Sequence, residues 1–270
     1  MRKNITIVIP SYNGKKLLEK NLPAVISEML KGDELIIIED AGTDNTTSWL
    51  EKEIKKKIVK KGASLKVIVN KKNLRFGASC NKAVKVAKHD LIFLLNNDVS
   101  PQPGCVKALL SNFAQNDVFA VGCLEKEVKN GKEEYHGKNK LWFDMGLFMH
   151  SKADDFESGE TAWVIGGSGM FDKKKWLELG GFDELFYPAY WEDIDLSFRA
   201  RKKGWKVLFE EQAKVDHNHE STNLDVFGQK KLENISWANG LKFTWKNGDI
   251  WQKIAFVIWQ PYWIYKRFLG

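Results

Sequence analysis

Short apolar runs alternate with longer helix-like segments through the first hundred residues, and this alternation restricts the possible folds more than any other feature. The runs at residues 5–9, 35–38, 65–69 and 91–95 are typical of buried strands in a parallel sheet. Helices are predicted between them, at about residues 15–30, 44–61 and 78–88. Repeated βαβ units of this kind predict an α/β fold, with a mixed, mostly parallel sheet flanked by helices on both faces.

Polar residues follow three of these strands at the point where each strand ends. The segments are Pro10-Ser11-Tyr12-Asn13, Glu39-Asp40-Ala41-Gly42 and Asn96-Asn97-Asp98. Ligands of open α/β sheets bind beyond the carboxyl ends of the strands. The three segments are therefore predicted to line one binding site.

The second half of the chain is predicted to form the other wall of that site. Residues 125–159 are polar and weakly periodic, which predicts an excursion over the surface, suited to a lid or an acceptor loop. A glycine-rich segment at 166–169 precedes a helix expected at 193–203 and a strand expected at 205–209. We divide the chain into a domain at 1–222, with halves at 1–100 and 101–222, and a helical, aromatic-rich segment at 223–270.

Composition and charge exclude several classes of protein. Hydrophobic residues make up 43% of the 270 residues and charged residues 29%, which is typical of a folded globular chain and excludes a disordered one. A net charge of +7 favours polyanionic partners, which include phosphates, anionic lipid and nucleic acid. Because the positive charge is scattered and the aromatic residues match no RNA-binding pattern, we expect no nucleic-acid partner.

Three features of the sequence bear on its location in the cell. The three cysteines have no CxxC spacing, which fits a reducing compartment. The apolar run at residues 5–9 is shorter than the core of a signal peptide. No stretch reaches the roughly 18 apolar residues of a membrane span. We therefore expect a cytoplasmic protein.

Asp40 and Asp98 are the candidate ligand-binding carboxylates at the strand ends. Asp40 is suited to holding a ribose or the edge of a base, although a turn with a helix cap at Thr43-Asp44 explains the same pattern. Asp98 is suited to a Mg²⁺ or Mn²⁺ ion that bridges a diphosphate, since hard cations on substrate phosphates need only one or two protein carboxylates. A polar turn before Pro101 is the alternative there.

Two histidines lie two residues apart after an apolar stretch near Val215. If the backbone is extended there, His217 and His219 share a face, and either can complete a metal site with Asp98. A structural histidine is the other interpretation.

Glu192, Asp193 and Asp195 open a predicted helix directly after Trp191. Crowded acids raise one another's pKa, so one of them is a candidate general base toward a hydroxyl group. Their alternative role is to complement the helix dipole. Arg75, before another predicted helix, is a candidate for pairing with phosphate or a base, with an ordinary surface cation as the alternative.

Taken in order, these motifs resemble the family 2 glycosyltransferases of GT-A fold, in particular the rhamnosyltransferase-like branch that decorates bacterial surface polysaccharides. The resemblance covers about residues 4–222 and depends on the combination of segments at 7–13, 39–44, 95–99, 180–184 and 191–196. A glycine-rich phosphate loop does not follow the first predicted strand, which disfavours a pyrophosphorylase and a dinucleotide dehydrogenase.

The resemblance implies which residues contact the donor. Nucleotide contacts are implied for Pro10, Tyr12, Asp40, Arg75 and Asn97. Contacts to the donor or acceptor sugar are implied for Gly167, Ser168 and Trp191.

The resemblance also implies a metal site and a base. Asp98 matches the last acid of the family's DxD metal motif, whose first position is Asn96 here, so the metal depends more on phosphate oxygens or on histidine. His217 matches the downstream metal-binding histidine, and His219 is the competing candidate. Asp193 matches the catalytic base, and Glu192 is expected to orient the acceptor.

The implied reaction is one inverting displacement that transfers a hexosyl group from a dTDP-, UDP- or GDP-linked donor to a hydroxyl group. The acceptor is expected to be a saccharide or a polyprenyl-linked saccharide in cell-surface polysaccharide synthesis, and the cofactor Mg²⁺ or Mn²⁺. The alternative is a non-catalytic module that holds a nucleotide sugar or a glycan. The weakened Asn96-Asn97-Asp98 motif favours this module, and the Glu192-Asp193 pair disfavours it.

Residues 237–270 interleave tryptophan, phenylalanine and isoleucine with Lys242, Lys246, Lys253, Lys266 and Arg267. This pattern is typical of helices at the interface of an anionic membrane. It predicts a peripheral position at the cytoplasmic face, near a lipid-linked acceptor. A cover over the catalytic domain and a dimer contact are the other interpretations.

Overall fold

Four parallel strands form one half of the central sheet. The computed structural model describes residues 2–129, 131–217 and 228–268. Strands β1 (Thr6–Ser11), β2 (Glu34–Glu39), β3 (Ser64–Val69) and β4 (Leu91–Leu95) lie in the order β4-β1-β2-β3. All four coincide with the predicted strands, so the parallel half of the sheet is confirmed.

The helices between these strands also lie where the sequence predicts them. They are α1 (Lys15–Glu28), α2 (Thr46–Trp49), α3 (Lys55–Lys60) and α4 (Arg75–Val86), with a π-helical turn at Leu50–Ile54 joining α2 to α3. Helix α4 begins at Arg75, earlier than the predicted residue 78. It begins there because the Asp40 carboxylate accepts hydrogen bonds from the first backbone N–H groups, those of Leu74 and Arg75.

The second half of the sheet is mixed. Strand β11 (Ser168–Asp172) lies antiparallel between β4 and β6 (Val118–Lys129), and β12 (Lys206–His217) lies parallel to β6 on its other side. Strands β5 (Val99–Pro101) and β10 (Gly159–Glu160) pair with β12. The helices of this half are α5 (Cys105–Ser111), α6 (Lys173–Glu178) and α7 (Glu192–Lys202), the last of which confirms the predicted helix.

The segment at residues 125–159, for which the sequence predicts an excursion over the surface, consists largely of β-strands. Strand β7 (Lys132–His136) pairs with the end of β6, and β8 (Asn139–Asp144) pairs with β9 (Leu147–Lys152) in a separate hairpin. The hairpins escape the sequence pattern because charged residues face one another across the strands, as in the Lys126–Glu133 ion pair. Their strands therefore lack a continuous apolar face.

The sheet has a hydrophobic core on each face. Alternate residues of β1 divide between the two cores: Ile7 and Ile9 pack with α1, and Val8 packs with α4. The three cysteines, Cys80, Cys105 and Cys123, are buried in these cores as free thiols. Helices on both faces therefore leave the carboxyl edge of the parallel strands as the place for a ligand.

The C-terminal segment consists of helices α8 (Gln229–Asn247) and α9 (Ile250–Phe268). Phe243 of α8 belongs to a third hydrophobic cluster, with Phe148, Trp163, Phe186, Trp191 and Ile194. Helix α8 is thus packed onto the domain that carries the predicted site. Within the described ranges, no helix is both long and apolar enough to cross a membrane.

Candidate active site

A cavity of about 360 Å³ lies at the carboxyl edge of the parallel strands. It collects residues from both halves of the chain, as the strand-end argument predicts. Its lining includes the predicted residues Pro10, Tyr12, Asp40, Arg75, Asn97, Asp98, Gly167, Glu192, Asp193 and His217. Residues that the sequence analysis did not assign also line it, among them Asn73, Phe76, Ser79, Ala189 and Tyr190.

Asp40 stands at the end of β2 and organises one side of this cavity. Its Oδ1 atom accepts hydrogen bonds from Asn70 Nδ2 and the Leu74 backbone N–H, each at 2.8 Å. Its Oδ2 atom accepts one from the Arg75 N–H at 2.8 Å. Asp40 therefore both faces the cavity and holds the start of α4 against the sheet.

Arg75 adopts a left-handed backbone conformation with φ of 68°. L-residues rarely adopt this conformation, and the bond to Asp40 is one contact that fixes it. Arg75 lines the same cavity as Asp193 and His217, and it also lines a second cavity beside Tyr187. Arg75 thus borders the candidate site on the side of Asp40.

Asp98 and His217 come together from β4 and β12. The His217 Nε2 atom lies 3.4 Å from Asp98 Oδ1, and its Nδ1 atom lies 3.1 Å from Oε2 of Glu125. Burial lowers the pKa of His217, but the carboxylates of Asp98 and Glu125 outweigh burial and raise it to about 10. The other oxygen of Glu125 accepts a hydrogen bond from Ser168.

The donor set at Asp98 and His217 fits a divalent cation. Oδ1 of Asp98 is buried and has no hydrogen-bond partner within the described part of the chain. The Nε2 atom of His217 lies beside it and would have to lose its proton to bind a cation, while Glu125 holds Nδ1 from behind, as in metal-binding histidines. The competing candidate His219 lies outside the described residues.

Glu192 and Asp193 occupy the first turn of α7 and face the same cavity. Burial raises the pKa of Glu192 to about 8, and the neighbouring Asp193 carboxylate adds to this rise. Burial also raises the pKa of Asp193, to about 6, against the backbone N–H groups of Gly166 and Ile194, which lower it. Burial therefore disfavours ionisation of both carboxyl groups together, and the two titrate as a pair.

Gly167 lies where a side chain has no room. A Cβ atom at this position would be 2.3 Å from the side chain of Asn96, since the β11 end approaches the Asn96-Asn97-Asp98 turn closely. The Asn96 N–H donates to the Gly167 carbonyl at 2.8 Å. The glycine thus lets the two halves of the chain meet at the cavity floor.

Ser168 and Trp191 were predicted at the sugar site, and the structure places both away from the cavity lining described above. Ser168 follows Gly167 on β11 and therefore points to the other face, toward Glu125. The Trp191 ring is buried against Phe243 of α8, with ring centroids 5.0 Å apart. Both residues support the site from behind.

Glu125 and Asn239 are site-supporting residues that sequence reasoning missed. Glu125 lies within the charged segment taken for a surface excursion, and its only signal is that β6 continues the apolar run before it. Asn239 donates to backbone carbonyls of the loop before Trp191. The sequence gives no signal for that contact, because the partners are far apart along the chain.

The chain matches the family model described as glycosyl transferase family 2 over residues 6–178. It is 26% identical over 228 residues to the O-antigen chain rhamnosyltransferase RfbN of Salmonella typhimurium, covering 83% of this chain and 69% of that protein. It is 21% identical over 208 residues to the poly-beta-1,6-N-acetyl-D-glucosamine synthase of Staphylococcus aureus, covering 77% of this chain but only 48% of the synthase.

Two solved structures share the fold. GalNAc-T7 with UDP, GalNAc and Mn²⁺ superposes with a TM-score of 0.68 at 15% identity, covering 99% of this chain and 58% of that one. The mannosyltransferase PcManGT from Pyrobaculum calidifontis, in complex with GDP-Man and Mn²⁺, gives 0.62 at 14% identity, covering 96% and 74%. These likenesses confirm the predicted GT-A fold. The family match includes Asp40 and Asp98 at the floor of the cavity, and it spans more than half of the chain, which therefore belongs to glycosyl transferase family 2.

Proposed function

We propose that this chain is an inverting glycosyltransferase that moves a hexosyl group from a nucleotide-sugar donor to a hydroxyl group of a saccharide acceptor. The observation that supports this most is that Asp40, Asp98 and Asp193 face one cavity from three different elements. In this proposal Asp40 binds the nucleotide, Asp98 binds the cation at the diphosphate, and Asp193 accepts the proton of the reacting hydroxyl group. Residues 1–100 then supply the nucleotide side, and residues 101–222 supply the acceptor and catalytic side.

The donor nucleotide is proposed to lie along Pro10, Tyr12, Asp40, Arg75 and Asn97. Tyr12 and Pro10 provide apolar surface for a base, and Asp40 provides a carboxylate edge at the end of β2. The Arg75 guanidinium is suited to the diphosphate, since it offers several donors in a fixed plane. Gly167, which lines the cavity beside Asn96, is proposed to contact the donor sugar.

Asp98 and His217 are proposed to hold Mg²⁺ or Mn²⁺ together with oxygens of the donor diphosphate. The buried Asp98 Oδ1 atom and the His217 nitrogen 3.4 Å from it support this assignment. When bound, the cation supplies positive charge that stabilises the departing diphosphate. Asn96 contributes no charge, so the ion depends on His217 more than it would beside two carboxylates.

Asp193 is proposed as the general base. The acceptor oxygen forms a bond to the anomeric carbon, the bond from that carbon to the diphosphate oxygen breaks, and the acceptor proton passes to Asp193. A pKa of about 6 leaves this carboxylate ionised near neutral pH and still able to accept a proton. Glu192, which keeps its own proton to higher pH, is proposed to donate a hydrogen bond to the acceptor.

Release of nucleoside diphosphate tests this function. A panel of UDP-, GDP- and dTDP-sugars is incubated with Mn²⁺, Mg²⁺ or EDTA, and water serves as the acceptor. We expect metal-dependent release from one donor, and losses of roughly 10²–10⁴-fold in kcat for Asp193→Asn. Asp98→Ala is expected to remove the metal-dependent release.

The matched control is Asp144→Asn, which changes an exposed aspartate of β8 outside the cavity. Full activity of Asp193→Asn would contradict the assignment of the base. Donor binding in calorimetry without release, even with saccharide acceptors present, would instead identify a nucleotide-sugar binding module. A chain that binds no donor contradicts the assignment of the cavity.

Helix α9 is proposed to dock on an anionic lipid surface. Trp251 is 76% exposed and Ile258 is 67% exposed, whereas Trp263 is buried against α8 and donates a hydrogen bond to the Met145 carbonyl. The helix carries cations and no acidic residue. Aromatic and aliphatic side chains beside cations are suited to the headgroup region, so the lipid surface is the partner that this chemistry favours.

This docking implies a cytoplasmic-face location and a polyprenyl-linked acceptor in polysaccharide synthesis. Co-sedimentation with liposomes tests it. We expect binding to vesicles with about 30% anionic lipid and weaker binding at high salt, because salt screens the cations from the lipid phosphates. Failure to sediment with anionic vesicles at low salt would remove the proposal.

A further inference from the structure

The backbone makes a strained corner directly before the catalytic pair. Tyr190 has φ of 71° and Trp191 has φ of 78°, and neither is glycine. Two consecutive L-residues in the left-handed region persist only where the surrounding structure fixes them. The next two residues are Glu192 and Asp193, so the direction of this corner decides where their carboxylates point.

Asn239 of α8 holds the loop that leads into the corner. Its Nδ2 atom lies 2.8 Å from the Phe186 carbonyl oxygen, 2.9 Å from that of Ala189 and 3.1 Å from that of Tyr190. An amide NH₂ group has two hydrogens, so one of the three contacts shares a hydrogen. Asn239 is 1% exposed, so water cannot reach these carbonyl oxygens to replace the hydrogen bonds of the amide.

Lys242, one turn further along α8, completes this hold. Its Nζ atom donates to Asn239 Oδ1 and to the Leu185 carbonyl, each at 3.0 Å. The first bond orients the Asn239 amide so that its NH₂ group faces the loop carbonyls. The loop is thus tied to α8 at both its beginning and its end.

The neighbouring residues of α8 seat the Trp191 ring. A Cβ atom on Gly240 would lie 2.9 Å from Cζ2 of Trp191, so the helix backbone touches the indole directly. Trp191 Nε1 is 3.4 Å from Ser236 Oγ, and Phe243 packs on the other side of the ring. Asn239 therefore holds the backbone that leads into the Tyr190–Trp191 corner, and Gly240 contacts the side chain of Trp191.

We propose that Asn239 is a positioning residue for the Glu192-Asp193 pair, and that α8 is thereby part of the catalytic apparatus. It touches no cavity-lining carboxylate and acts through the Phe186–Trp191 loop. The inference rests on the proposed function, because it presumes that Asp193 is the base.

The test is a kinetic comparison of Asn239→Asp with the wild type. Aspartate has the same shape but turns a carboxylate oxygen toward three carbonyl oxygens, which should open the corner. We expect kcat for diphosphate release to fall by roughly 10- to 100-fold, since small misplacements of a catalytic group have effects of this size. Donor KM should change by less than about threefold, because the Asp40 and Arg75 side of the cavity is untouched.

Gly240→Ala is the second variant, and it should show the same split between kcat and KM, because its methyl group displaces Trp191. Asn234→Ala is the control, since this exposed amide of α8 contacts Arg267 of α9 and not the loop. Donor calorimetry on each variant reports whether the cavity is still folded.

Unchanged kcat in Asn239→Asp and Gly240→Ala overturns the inference while the wild type and Asp193→Asn still support the proposed function. Parallel losses of kcat, donor affinity and melting temperature also overturn it, because they show a purely structural role. Absence of turnover by the wild type, or full activity of Asp193→Asn, overturns the proposed function and the inference with it.

Discussion

Oε2 of Glu125 lies 3.1 Å from Nδ1 of His217, on the side of the imidazole away from Asp98. A carboxylate in this place fixes the tautomer and orientation of a metal-binding histidine, and its loss typically weakens metal affinity by about 10–100-fold. We expect that effect for Glu125→Gln, measured by titrating Mn²⁺ or Mg²⁺ into the diphosphate-release assay. Glu127→Gln, two residues along β6 and beside His136, is the control. Equal metal affinity in Glu125→Gln and wild type would contradict the assignment of His217.

Activity is expected to rise with pH through about 6. Burial raises the pKa of Asp193 to about 6, so below that pH the base is protonated and inactive. Glu192 remains protonated up to about pH 8. The uncharged variant Glu192→Gln should therefore keep the acidic limb near pH 6 and most of its activity at pH 7. A pH–rate profile of the wild type and of Glu192→Gln checks this expectation. A shift of the acidic limb by a full pH unit in the variant would refute it.

The carboxyl group of Glu192 lowers the free energy of unfolding at high pH. Its pKa is 4.5 when unperturbed and about 8 in the folded chain, so the folded chain binds this proton more tightly. The free energy of unfolding therefore falls as pH rises from about 4.5 to about 8. Glu192→Gln removes this loss, and we expect it to gain at least about 1 kcal/mol over wild type between those two pH values. Urea unfolding at both pH values measures the gain, and an equal pH dependence in the two chains would count against it.

Asp40→Asn is expected to weaken donor binding by roughly tenfold or more, since it removes the carboxylate that is proposed to hold the donor nucleotide. It also leaves the backbone N–H groups of Leu74 and Arg75 facing an amide. Calorimetry with the donor measures this loss. Asp33→Asn is the matched control, because Asp33 also accepts from two backbone N–H groups, those of Ile5 and Leu30, but at the opposite end of β2. Both variants should melt at lower temperature, and only Asp40→Asn should lose donor affinity. Loss of affinity in both would show a general effect of stability.

Ile258→Asp is expected to abolish sedimentation of the protein with anionic liposomes while leaving diphosphate release from a soluble donor intact. The isoleucine is 67% exposed on α9, so an added negative charge acts on docking rather than on packing. Val128→Asp makes the same kind of change at a side chain that is 65% exposed on β6. Liposome binding that survives in Ile258→Asp, or that is lost equally in Val128→Asp, would rule out docking through α9.

Strand-end reasoning predicted the cavity well for a physical reason. The apolar runs of β1, β2 and β4 are buried on both faces, so they stand out in the sequence, and their carboxyl ends must meet at one edge. Pro10, Asp40 and Asp98 could therefore be assigned to one site before the structure was known. The spacing of His217 and His219 was a weaker signal, and the family resemblance favoured His217 as the metal ligand.

The supporting residues could not be predicted in the same way. The resemblance of the glycine-rich segment at 166–169 to a sugar-lining loop implied a sugar contact for Ser168, but alternation along β11 turns its side chain toward Glu125. The resemblance also implied a sugar contact for Trp191, but its ring lies in the hydrophobic cluster under α8, and its backbone is left-handed. Asn239 contacts the loop through tertiary packing, for which neither periodicity nor spacing carries information.

The packing of α8 on the Tyr190–Trp191 corner bears on how relatives of this chain should be sorted. The family match ends at residue 178, before Asp193, His217 and Asn239. Two sequences that match the family model equally well over residues 6–178 can thus differ both at the proposed base, Asp193, and at the residue proposed to position it, Asn239. Genome surveys that aim to separate transferases from related proteins that only bind a nucleotide sugar should therefore score the last third of the chain. Loss of the asparagine that corresponds to Asn239 of α8 would mark a candidate for such a binding protein.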